Sequence, residues 1–516
     1  MTLTRLLQSG VGPLLVLIAW EIGATLPGAG FVIAAPSAIL THIAFNAALY
    51  MRALGVTLAN AAAGFAIGNL CALALAVVAI ALPRSEALVR GLALLIFCLP
   101  LVATGPILRV IFGPGPWPQI VLAALAVYYT TLIPLLVGLR AVPQAWLDMV
   151  RSYGRGRVAA LRHVRAQASL PYLVAGLQIA APAAFLGAMV GEFTGAERGM
   201  GVLTIRAMRA MDVEMTWALA VIATTISILG FLVIGWGARR WMTEAPPVLL
   251  AAPLAEHRRA GYWITEPLMV GAVSLSIWWG ALHLSGLNSF FAKGPQHVFD
   301  ALVLAADAGQ TRASLVRALG ETSVFLLPGY LAGLAAGALL AVLVVQVPSA
   351  AGTANALAIA LRSVPIITTA PLVILVLGRG AAGTIFLVAI MVFFPTFLAC
   401  LHGLARVPGQ VIDVMRSYAA SRWHVLLHAR LPAMLPAFFA AARMGVPASV
   451  LAVTVVEWLA TGHGIGSLMA LSASLSDYDM LWSAVVLVAV LSLIGYSLVA
   501  LCERRILATY APEQLT

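Results

Sequence analysis

The sequence predicts an all-α polytopic membrane protein with about 12 transmembrane helices, arranged as two parallel six-helix repeats. Three observations lead to this fold class. Of the 516 residues, 62% are hydrophobic and only 9% are charged, which is too little polar surface to cover a water-soluble globule. The apolar residues lie in runs long enough to cross a bilayer. In addition, the second half of the chain repeats special residues of the first half in a single register.

The apolar runs predict six spans in each half. Backbone polar groups must be paired inside lipid, and the runs lack the alternation typical of barrel strands, so each span is expected to be a helix. The first six lie near 10–28, 55–82, 88–111, 118–139, 170–193 and 216–237. The other six lie near 265–285, 319–347, 354–377, 381–404, 433–458 and 481–502. The run at 10–28 is interpreted as an uncleaved span, because its Trp20 has a mid-chain counterpart in Trp279.

A single ungapped register relates the two halves, in which position 148 of the first corresponds to position 413 of the second. Most of the segment 148–157 recurs at 413–422, and the same register pairs many prolines, glycines and one glutamate. These pairs are Pro100/Pro365, Pro106/Pro371, Pro143/Pro408, Pro171/Pro436, Pro182/Pro447, Glu192/Glu457, Gly199/Gly464 and Gly201/Gly466. So many coincidences in one register indicate an internal duplication. Six spans return the chain to its starting side, so the halves should be related by a pseudo-two-fold axis along the membrane normal.

The charge distribution predicts the domain boundaries and the orientation. We expect a first transmembrane domain at 1–238, a cytoplasmic linker at 239–264 and a second transmembrane domain at 265–516. The formal net charge is +11, but the basic residues lie in short segments between spans, where they typically face the cytoplasm. This pattern places the linker and both termini in the cytoplasm and argues against nucleic-acid binding.

The duplicated segment contains too many arginines to lie in the membrane. The first copy carries Arg151, Arg155, Arg157, Arg162 and Arg165. At about 2.5 kcal/mol for each arginine at a helix centre, inserting all five would cost more than about 12 kcal/mol. Asp148 to Tyr153 contains no helix breaker, and Gly154, or Ala419 in the second copy, permits a turn before another helical piece. We therefore predict a short helical elbow on the cytoplasmic side of each half.

The repeated residues of the elbows favour a docking surface. An ordinary basic loop that only fixes topology would need arginines but no particular neighbours. Both copies instead keep an aspartate, the tripeptide Arg-Ser-Tyr and a later arginine at fixed spacing. These residues are Asp148, Arg151, Ser152, Tyr153, Gly154 and Arg157 in the first elbow, and Asp413, Arg416, Ser417, Tyr418, Ala419, Ser421, Arg422 and Trp423 in the second. A surface that binds a partner twice explains this retention best.

The second elbow, with Asp413 and Ser421-Arg422-Trp423 followed by Leu431-Pro432, closely resembles the EAA loop of ABC-importer permeases of the nitrate/sulfonate/taurine type. The resemblance extends over nearly all of both halves, for example at Pro36-Ser37-Ala38 and at Glu192 followed by Gly199-Met200-Gly201. It implies that the elbows are coupling helices seated in two cytoplasmic ATPase subunits. It also implies an extracytoplasmic substrate-binding protein and a location in the bacterial inner membrane.

Several residues depart from the family's EAA pattern. An aspartate replaces the usual glutamate in both elbows, Ala419 stands where the motif glycine is expected, and Gln167 replaces the proline that Pro432 supplies in the other half. Val158 also stands opposite Trp423. These differences suggest that the two elbows dock asymmetrically.

The sequence carries no recognisable catalytic or metal motif. Lys293 is the only lysine and is followed by Gly294, so a Walker A loop is absent and ATP with its Mg²⁺ is expected on the partner ATPase. We therefore expect a translocation subunit and not an enzyme, with no cofactor in this chain. His424 and His428 have helical spacing but no third ligand, and are interpreted as surface histidines. The four cysteines occur singly and are interpreted as small hydrophobic residues.

A few residues in or near the spans are candidates for a substrate path. Pro100, Pro106, Pro365 and Pro371 should break or bend the third span of each half, either to line a pathway or as packing kinks. Glu192 and Glu457 end their spans, where a carboxylate is a functional candidate or a structural cap. Arg443 lies in an apolar helix. It could steer an anion, but snorkelling to the cytoplasmic interface is the favoured interpretation.

Together these features predict the permease component of an ATP-driven, binding-protein-dependent importer of a small solute, with a nitrate-, sulfonate- or taurine-like anion as the expected substrate. Aromatic heterocycles are an alternative, because relatives carry them. The main rival function is ion-gradient-driven secondary transport through the same 12 spans. That rival would require charged residues at mid-span and gives no reason for two matched elbows. A lipid-modifying enzyme would need a cluster of polar catalytic residues, and the sequence offers none.

Overall fold

The computed structural model of the chain describes residues 14, 17–26, 33–241, 262–346, 366–378 and 380–510. Within these ranges all regular secondary structure is helical, as the apolar runs predict. The helices of the first half are α1 (Pro36–Phe45), α2 (Ala47–Ala81), α3 (Glu86–Phe97), α4 (Leu101–Phe112), α5 (Trp117–Arg140), α6 (Gln144–Ser152), α7 (Arg157–Ala160), α8 (Ala166–Phe193), α9 (Met200–Ala210) and α10 (Val213–Trp241). Residues 17–24 are also helical.

The second half repeats this order, beginning with a counterpart of the helix at 17–24, and the positions equivalent to α3 lie outside the described residues. Its helices are α11 (Tyr262–Ser285), α12 (Pro295–Phe299), α13 (Ala308–Gln346), α14 (Ile366–Leu377), α15 (Ala381–Ala405), α16 (Gly409–Ser417), α17 (Arg422–Val425), α18 (Leu431–Val456), α19 (Gly464–Ser474) and α20 (Tyr478–Tyr510). Most of the linker predicted at 239–264 lies outside the described residues, and the domain boundaries stay a prediction.

The long helices account for ten of the twelve predicted spans. Nine helices among the described residues are long and apolar enough to cross a membrane, and the bent pair Pro83–Phe97 and Leu101–Phe112 is a tenth candidate. The predicted span at 10–28 is described only in part, and residues 354–365 of the span predicted near 354–377 lie outside the description. The chain is therefore an all-α, multi-pass membrane protein.

The third span is broken, as its prolines predict. The two pieces meet at 96°. Pro100 stands at the N-terminal end of α4. Proline has no backbone N–H, and the first residues of a helix have no carbonyl within the helix to accept one, so no hydrogen bond is lost there. Pro106 lies inside α4 and does not end it. The sequence therefore correctly predicted a break, but only one of the two prolines produces it.

Glycines allow the spans of each half to pack closely. A Cβ at Gly64 or Gly68 of α2 would approach the backbone of α5 at Ile120 and Ala124 to within 2.6–2.7 Å. The equivalent glycines of α13, Gly329 and Gly333, lie in the same way against α15. Because lipid gives no hydrophobic drive between helices, such small-residue contacts hold membrane helices together through van der Waals packing.

The broken third span also joins the halves. α4 contacts α18, α19 and α20 of the second half, and α14, its equivalent, contacts α8 and α10 of the first. Ile107 of α4 packs in one apolar cluster with Ile465 and Met469 of α19. Ile374 of α14 is likewise buried with residues of the first half, including Leu219. Each half therefore inserts the same element into the other, as a pseudo-two-fold arrangement requires.

Candidate functional site

The first elbow is a helix, a turn and a second short helix. α6 begins after Pro143 and ends before Tyr153. Gly154 then adopts a left-handed conformation, with φ +67°, that reverses the chain before α7. The N–H of Arg155 donates to the carbonyl of Val150 at 3.2 Å and closes the helix end. The predicted helical shape of this elbow and its turn at Gly154 are confirmed, and its cytoplasmic position stays a prediction.

The second elbow has the same backbone at the equivalent positions of the repeat. α16 ends before Tyr418, and Ala419 adopts the left-handed conformation at φ +55° although it has a Cβ. Ser421 caps the next helix, because its hydroxyl accepts a hydrogen bond from the His424 N–H at 3.2 Å. The alanine substitution therefore leaves the turn intact and places some strain in it.

The repeated polar residues of the elbows serve different purposes. Arg151 Nη1 lies 2.9 Å from Asp148 Oδ1, one turn away on α6, and Arg416 lies 3.9 Å from Asp413 in the same relation. The serines that follow these arginines, Ser152 and Ser417, donate their hydroxyls to carbonyls three residues back. These contacts all lie within each elbow.

The tyrosines of the repeated tripeptide face outward. Tyr153 is 73% exposed and Tyr418 is 83% exposed, and neither side chain is used to hold its elbow together. A large aromatic residue retained twice in an exposed position is well suited to a protein interface, where tyrosine supplies apolar area and a hydroxyl. Of the repeated tripeptide, the tyrosine is the residue most available to a partner.

A π-helical turn joins each elbow to the span that follows it. The turns are Leu161–Arg165 and Leu426–Arg430, which occupy equivalent positions of the repeat. Single π turns are rare inside α-helices and are frequent at functional sites. They were not predicted from the sequence. Only their position directly after a duplicated segment distinguishes them, since the i→i+5 bond has no residue signature.

An ion-pair cluster in the first half ties its elbow to the membrane domain. Glu86, at the start of α3, is 4% exposed and pairs with Arg140 at the end of α5, directly before the first elbow. Arg90 lies 3.7 Å from the same carboxylate. The residue equivalent to Arg140 in the second half is Ala405. This cluster was not predicted from the sequence, because Glu86 and Arg140 lie far apart in the chain.

The two glutamates predicted for the substrate path are buried and hold in place the short helices that follow their spans. Thr57 Oγ1 donates to Glu192 Oε1 at 2.7 Å, and the Gly201 N–H donates to Oε2 at 2.7 Å. The Met200 N–H donates to Thr57 Oγ1 at 2.8 Å. Glu192 and Thr57 thereby satisfy the N–H groups of Gly201 and Met200 in the first turn of α9, where negative charge is favoured. At Gly199, with φ +135°, a Cβ would overlap this carboxylate.

The second half repeats the bonds to the backbone N–H groups around Glu457. Its Oε2 accepts from the Gly466 N–H at 2.8 Å, and the Ile465 N–H donates to Thr322 Oγ1 at 2.9 Å. Glu321 adds a bond that the first half lacks, because its Oε2 accepts from the Gly464 N–H at 2.9 Å. This geometry supports a capping role for both glutamates. A part in the substrate path stays a prediction.

Arg443 does not reach the surface of the chain, so the snorkelling interpretation is wrong. It is 3% exposed, and its Nε lies 2.9 Å from Oε2 of Glu503 on α20. Its Cζ atom lies over the ring of Tyr496, 5.7 Å from the ring centroid. A carboxylate so distant in the sequence could not be assigned as its partner before the fold was known. Contact of Arg443 with a substrate stays a prediction.

The remaining path candidates are only partly described. Pro365 lies outside the described residues, and Pro371 lies within α14. Groups of three or more metal-ligating residues are absent from the described part of the chain. His424 and His428 stack on each other on the exposed side of the second elbow, with ring centroids 4.3 Å apart.

Comparison with known proteins places both halves in one group. The family model described as "Binding-protein-dependent transport system inner membrane component" matches residues 68–242 and 330–508. A probable ABC transporter permease protein of Haemophilus influenzae is 31% identical over 227 residues, which is 44% of this chain and 93% of the relative. The formylaminopyrimidine transport permease protein ThiX of Halalkalibacterium halodurans is 27% identical, covering 43% and 89%. The taurine transport system permease protein TauC of Escherichia coli is 24% identical, covering 48% and 91%. Each of these relatives therefore has about the length of one half.

Proposed function

The chain belongs to the family of binding-protein-dependent transport system inner membrane components, and from this premise we propose that its two elbows dock onto two cytoplasmic ATPase subunits that drive import. The observation that supports this most strongly is the duplicated elbow. Both copies keep one backbone, one left-handed turn and one exposed tyrosine at equivalent positions of the repeat. Two matched docking elements are what two copies of one partner would require.

ATP hydrolysis then takes place on another chain. The only lysine of the sequence, Lys293, pairs with Asp479 at 2.8 Å, at the start of α20. Because α18 leads from the second elbow to α19, and α20 follows α19, this pair lies at the opposite end of the spanning helices from the elbow. Neither a phosphate-binding lysine nor a Walker A loop is available here. ATP and Mg²⁺ would be held by the partner.

Transport would proceed by alternating access. Closure of the ATPase subunits on ATP would draw the elbows together, and the helices that continue from the elbows, α8 and α18, would carry that motion into the membrane. α4 and α14, which cross between the halves, would then change their contacts as the halves rock about the pseudo-two-fold axis. Hydrolysis would restore the starting arrangement.

The orientation and the substrate follow from the same premise. The elbows, the linker and both termini would lie in the cytoplasm of a bacterial cell, with the chain in the inner membrane and a substrate-binding protein on the other face. Relatives are named for taurine and for formylaminopyrimidine transport. We propose a small anion of the sulfonate, taurine or nitrate type. Ion-gradient transport has less support, since the buried carboxylates Glu192 and Glu457, which could carry an ion, each accept a backbone N–H at the start of a helix.

Co-purification with the cognate ATPase subunit tests the docking. The double variant Tyr153→Ala/Tyr418→Ala removes the exposed ring from both elbows, and we expect it to retain about tenfold less ATPase than the wild type, since removal of a buried interface aromatic commonly costs more than about 1.4 kcal/mol. Tyr510→Ala is the matched control, because Tyr510 is also exposed but lies outside the elbows. Equal retention in all three proteins would contradict docking at the elbows.

A further inference from the structure

The two elbows share a backbone but present different surfaces. The difference matters only if the elbows are ATPase contacts, so the inference rests on the proposed function. In the first elbow and its π turn, residues 144–165 include five arginines and one aspartate, a net charge of +4. Residues 409–430, at the same positions, include three arginines and one aspartate, a net charge of +2 with histidines neutral. The backbone register is identical, so each difference can be assigned to a pair of positions.

The first elbow contains a cleft. Its volume is about 420 Å³, and it is lined by Val150, Tyr153, Arg155, Ala159 and His163. Arg155 is exposed at this cleft, and within the described part of the chain its side chain has neither a carboxylate nor a carbonyl partner. An open arginine beside an apolar wall suits a carboxylate-bearing side chain, which a guanidinium group can bind with two parallel hydrogen bonds.

Larger side chains occupy two of the equivalent positions of the second elbow. Met415 replaces Val150, and His424 replaces Ala159 and stacks on His428. Ala420 takes the place of Arg155, so the charge that would attract a carboxylate is absent at this position. The second elbow is therefore less suited to receive a protruding acidic side chain.

The second elbow exposes larger apolar side chains than the first at two other positions. Trp423 is 65% exposed and stands at the position of Val158, while the exposed Leu427 stands at the position of Arg162. Tryptophan is the residue type most enriched at the energetic centre of interfaces, where it fills an apolar pocket of the partner. Together, Trp423 and Leu427 form an apolar projection.

We propose that the two elbows bind their ATPase subunits through different kinds of contact, a charged one at the first elbow and an apolar one at the second. The first elbow receives an acidic side chain of its subunit in the cleft beside Arg155. The second elbow inserts Trp423 into an apolar pocket of the other subunit. The two contacts consequently differ in salt dependence, because an exposed charge pair is screened by ions and burial of an indole ring is not.

Exchange of whole elbows tests this directly. The segments 144–165 and 409–430 have the same length and backbone, so two chains can be built, one with the first elbow in both halves and the other with the second. Each is co-expressed with the cognate ATPase subunit, purified in detergent and washed with NaCl from 0.05 to about 1 M without nucleotide. We expect the chain with two first elbows to lose at least about tenfold more ATPase at high salt than the chain with two second elbows.

Point exchanges control for folding. Arg155→Ala/Arg162→Leu gives the first elbow the residues of the second, and Trp423→Val gives the second the residue of the first. The former should remove the salt-sensitive fraction, and the latter should leave only salt-sensitive binding. Identical salt profiles for the two exchanged chains would overturn the inference, even if ATPase binds both. A wild-type chain that retains no ATPase at low salt would overturn the proposed function, and this inference with it.

Discussion

The described parts of the two halves share one order of helices and differ in how they use buried charge. In the first half, Gln178 lies against the backbone of Gly235. In the second half the same position is Arg443, paired with Glu503 in a nearly closed environment. The residue equivalent to Glu503 in the first half is Ala238. The duplicated fold therefore does not require this ion pair, which adds a property to one half only.

Breaking the Arg443–Glu503 pair should have the largest effect on stability. Arg443→Gln leaves the Glu503 carboxylate buried without its cation, and removal of one partner of a buried pair costs about 3–5 kcal/mol. The double variant Arg443→Gln/Glu503→Ala carries the residues of the first half, and should recover most of that loss. Thermal unfolding of the detergent-purified proteins measures both. A double variant as unstable as the single one would show that the halves do not tolerate each other's residues here.

Removal of the buried capping glutamate should destabilise the first half more than the second. Glu192→Ala removes the acceptor for the Gly201 N–H and for Thr57, with an expected loss of about 2–4 kcal/mol, since hydrogen bonds to charged groups contribute about 1.5–3 kcal/mol each. Glu457→Ala should cost less, because Glu321 still accepts from the Gly464 N–H at the same helix end.

Hydrogen exchange at the first turns of α9 and α19 separates the two effects. Faster exchange confined to α9 is expected for Glu192→Ala, with a smaller change at α19 for Glu457→Ala. Glu321→Ala/Glu457→Ala is the control, and it should equal Glu192→Ala. If Glu457→Ala alone loosened α19 as much as the double variant, Glu321 would have no capping role.

Substitutions at the turns of the elbows should change stability by smaller amounts, with opposite signs in the two elbows. Gly154 and Ala419 have the same left-handed conformation, which costs a residue with a Cβ about 1–2 kcal/mol. Ala419→Gly should therefore stabilise the second elbow by about 0.5–1 kcal/mol, after the entropy that glycine loses, and Gly154→Ala should destabilise the first by a similar amount. Local hydrogen exchange in α6 and α16 reports these changes. Two shifts of the same sign would contradict the assigned turn.

The exposed aspartate–arginine pairs of the elbows should have the smallest effect on the chain alone. Asp148→Asn and Asp413→Asn each remove one partner of a solvent-exposed pair, and such pairs contribute little to stability. We expect no measurable change in Tm for either variant. A fall in Tm of several degrees would mean that these pairs hold the elbow and do not merely position an arginine.

The spans, the repeat and the elbows could be predicted from the sequence because each depends on local signals. Apolar length predicts a membrane helix, and a glycine or proline at the end of a helical run predicts a turn or a break there. The turn at Gly154 and the break at Pro100 are of this kind. Ala419 shows the strength of the repeat, since its own residue type argues against the left-handed turn that its duplicate predicts.

The partners of buried polar groups could not be predicted, because they depend on contacts distant in the chain. Glu192 on α8 meets Thr57 on α2, and Arg443 on α18 meets Glu503 on α20. The preference for snorkelling at Arg443 was wrong for this reason, as hydropathy reports depth but not partners. The π turns after the elbows escaped prediction for a different reason, since their hydrogen-bond pattern leaves no trace in composition.

The number of ATPase subunits bound per chain tests the central claim most directly. Native mass spectrometry of the gently purified complex measures it, with the wild type compared with chains in which the exposed tyrosine is replaced in one elbow, Tyr153→Glu or Tyr418→Glu. Docking at both elbows predicts two subunits on the wild type and one on each single variant. Two subunits on every chain, or none on the wild type, would contradict it.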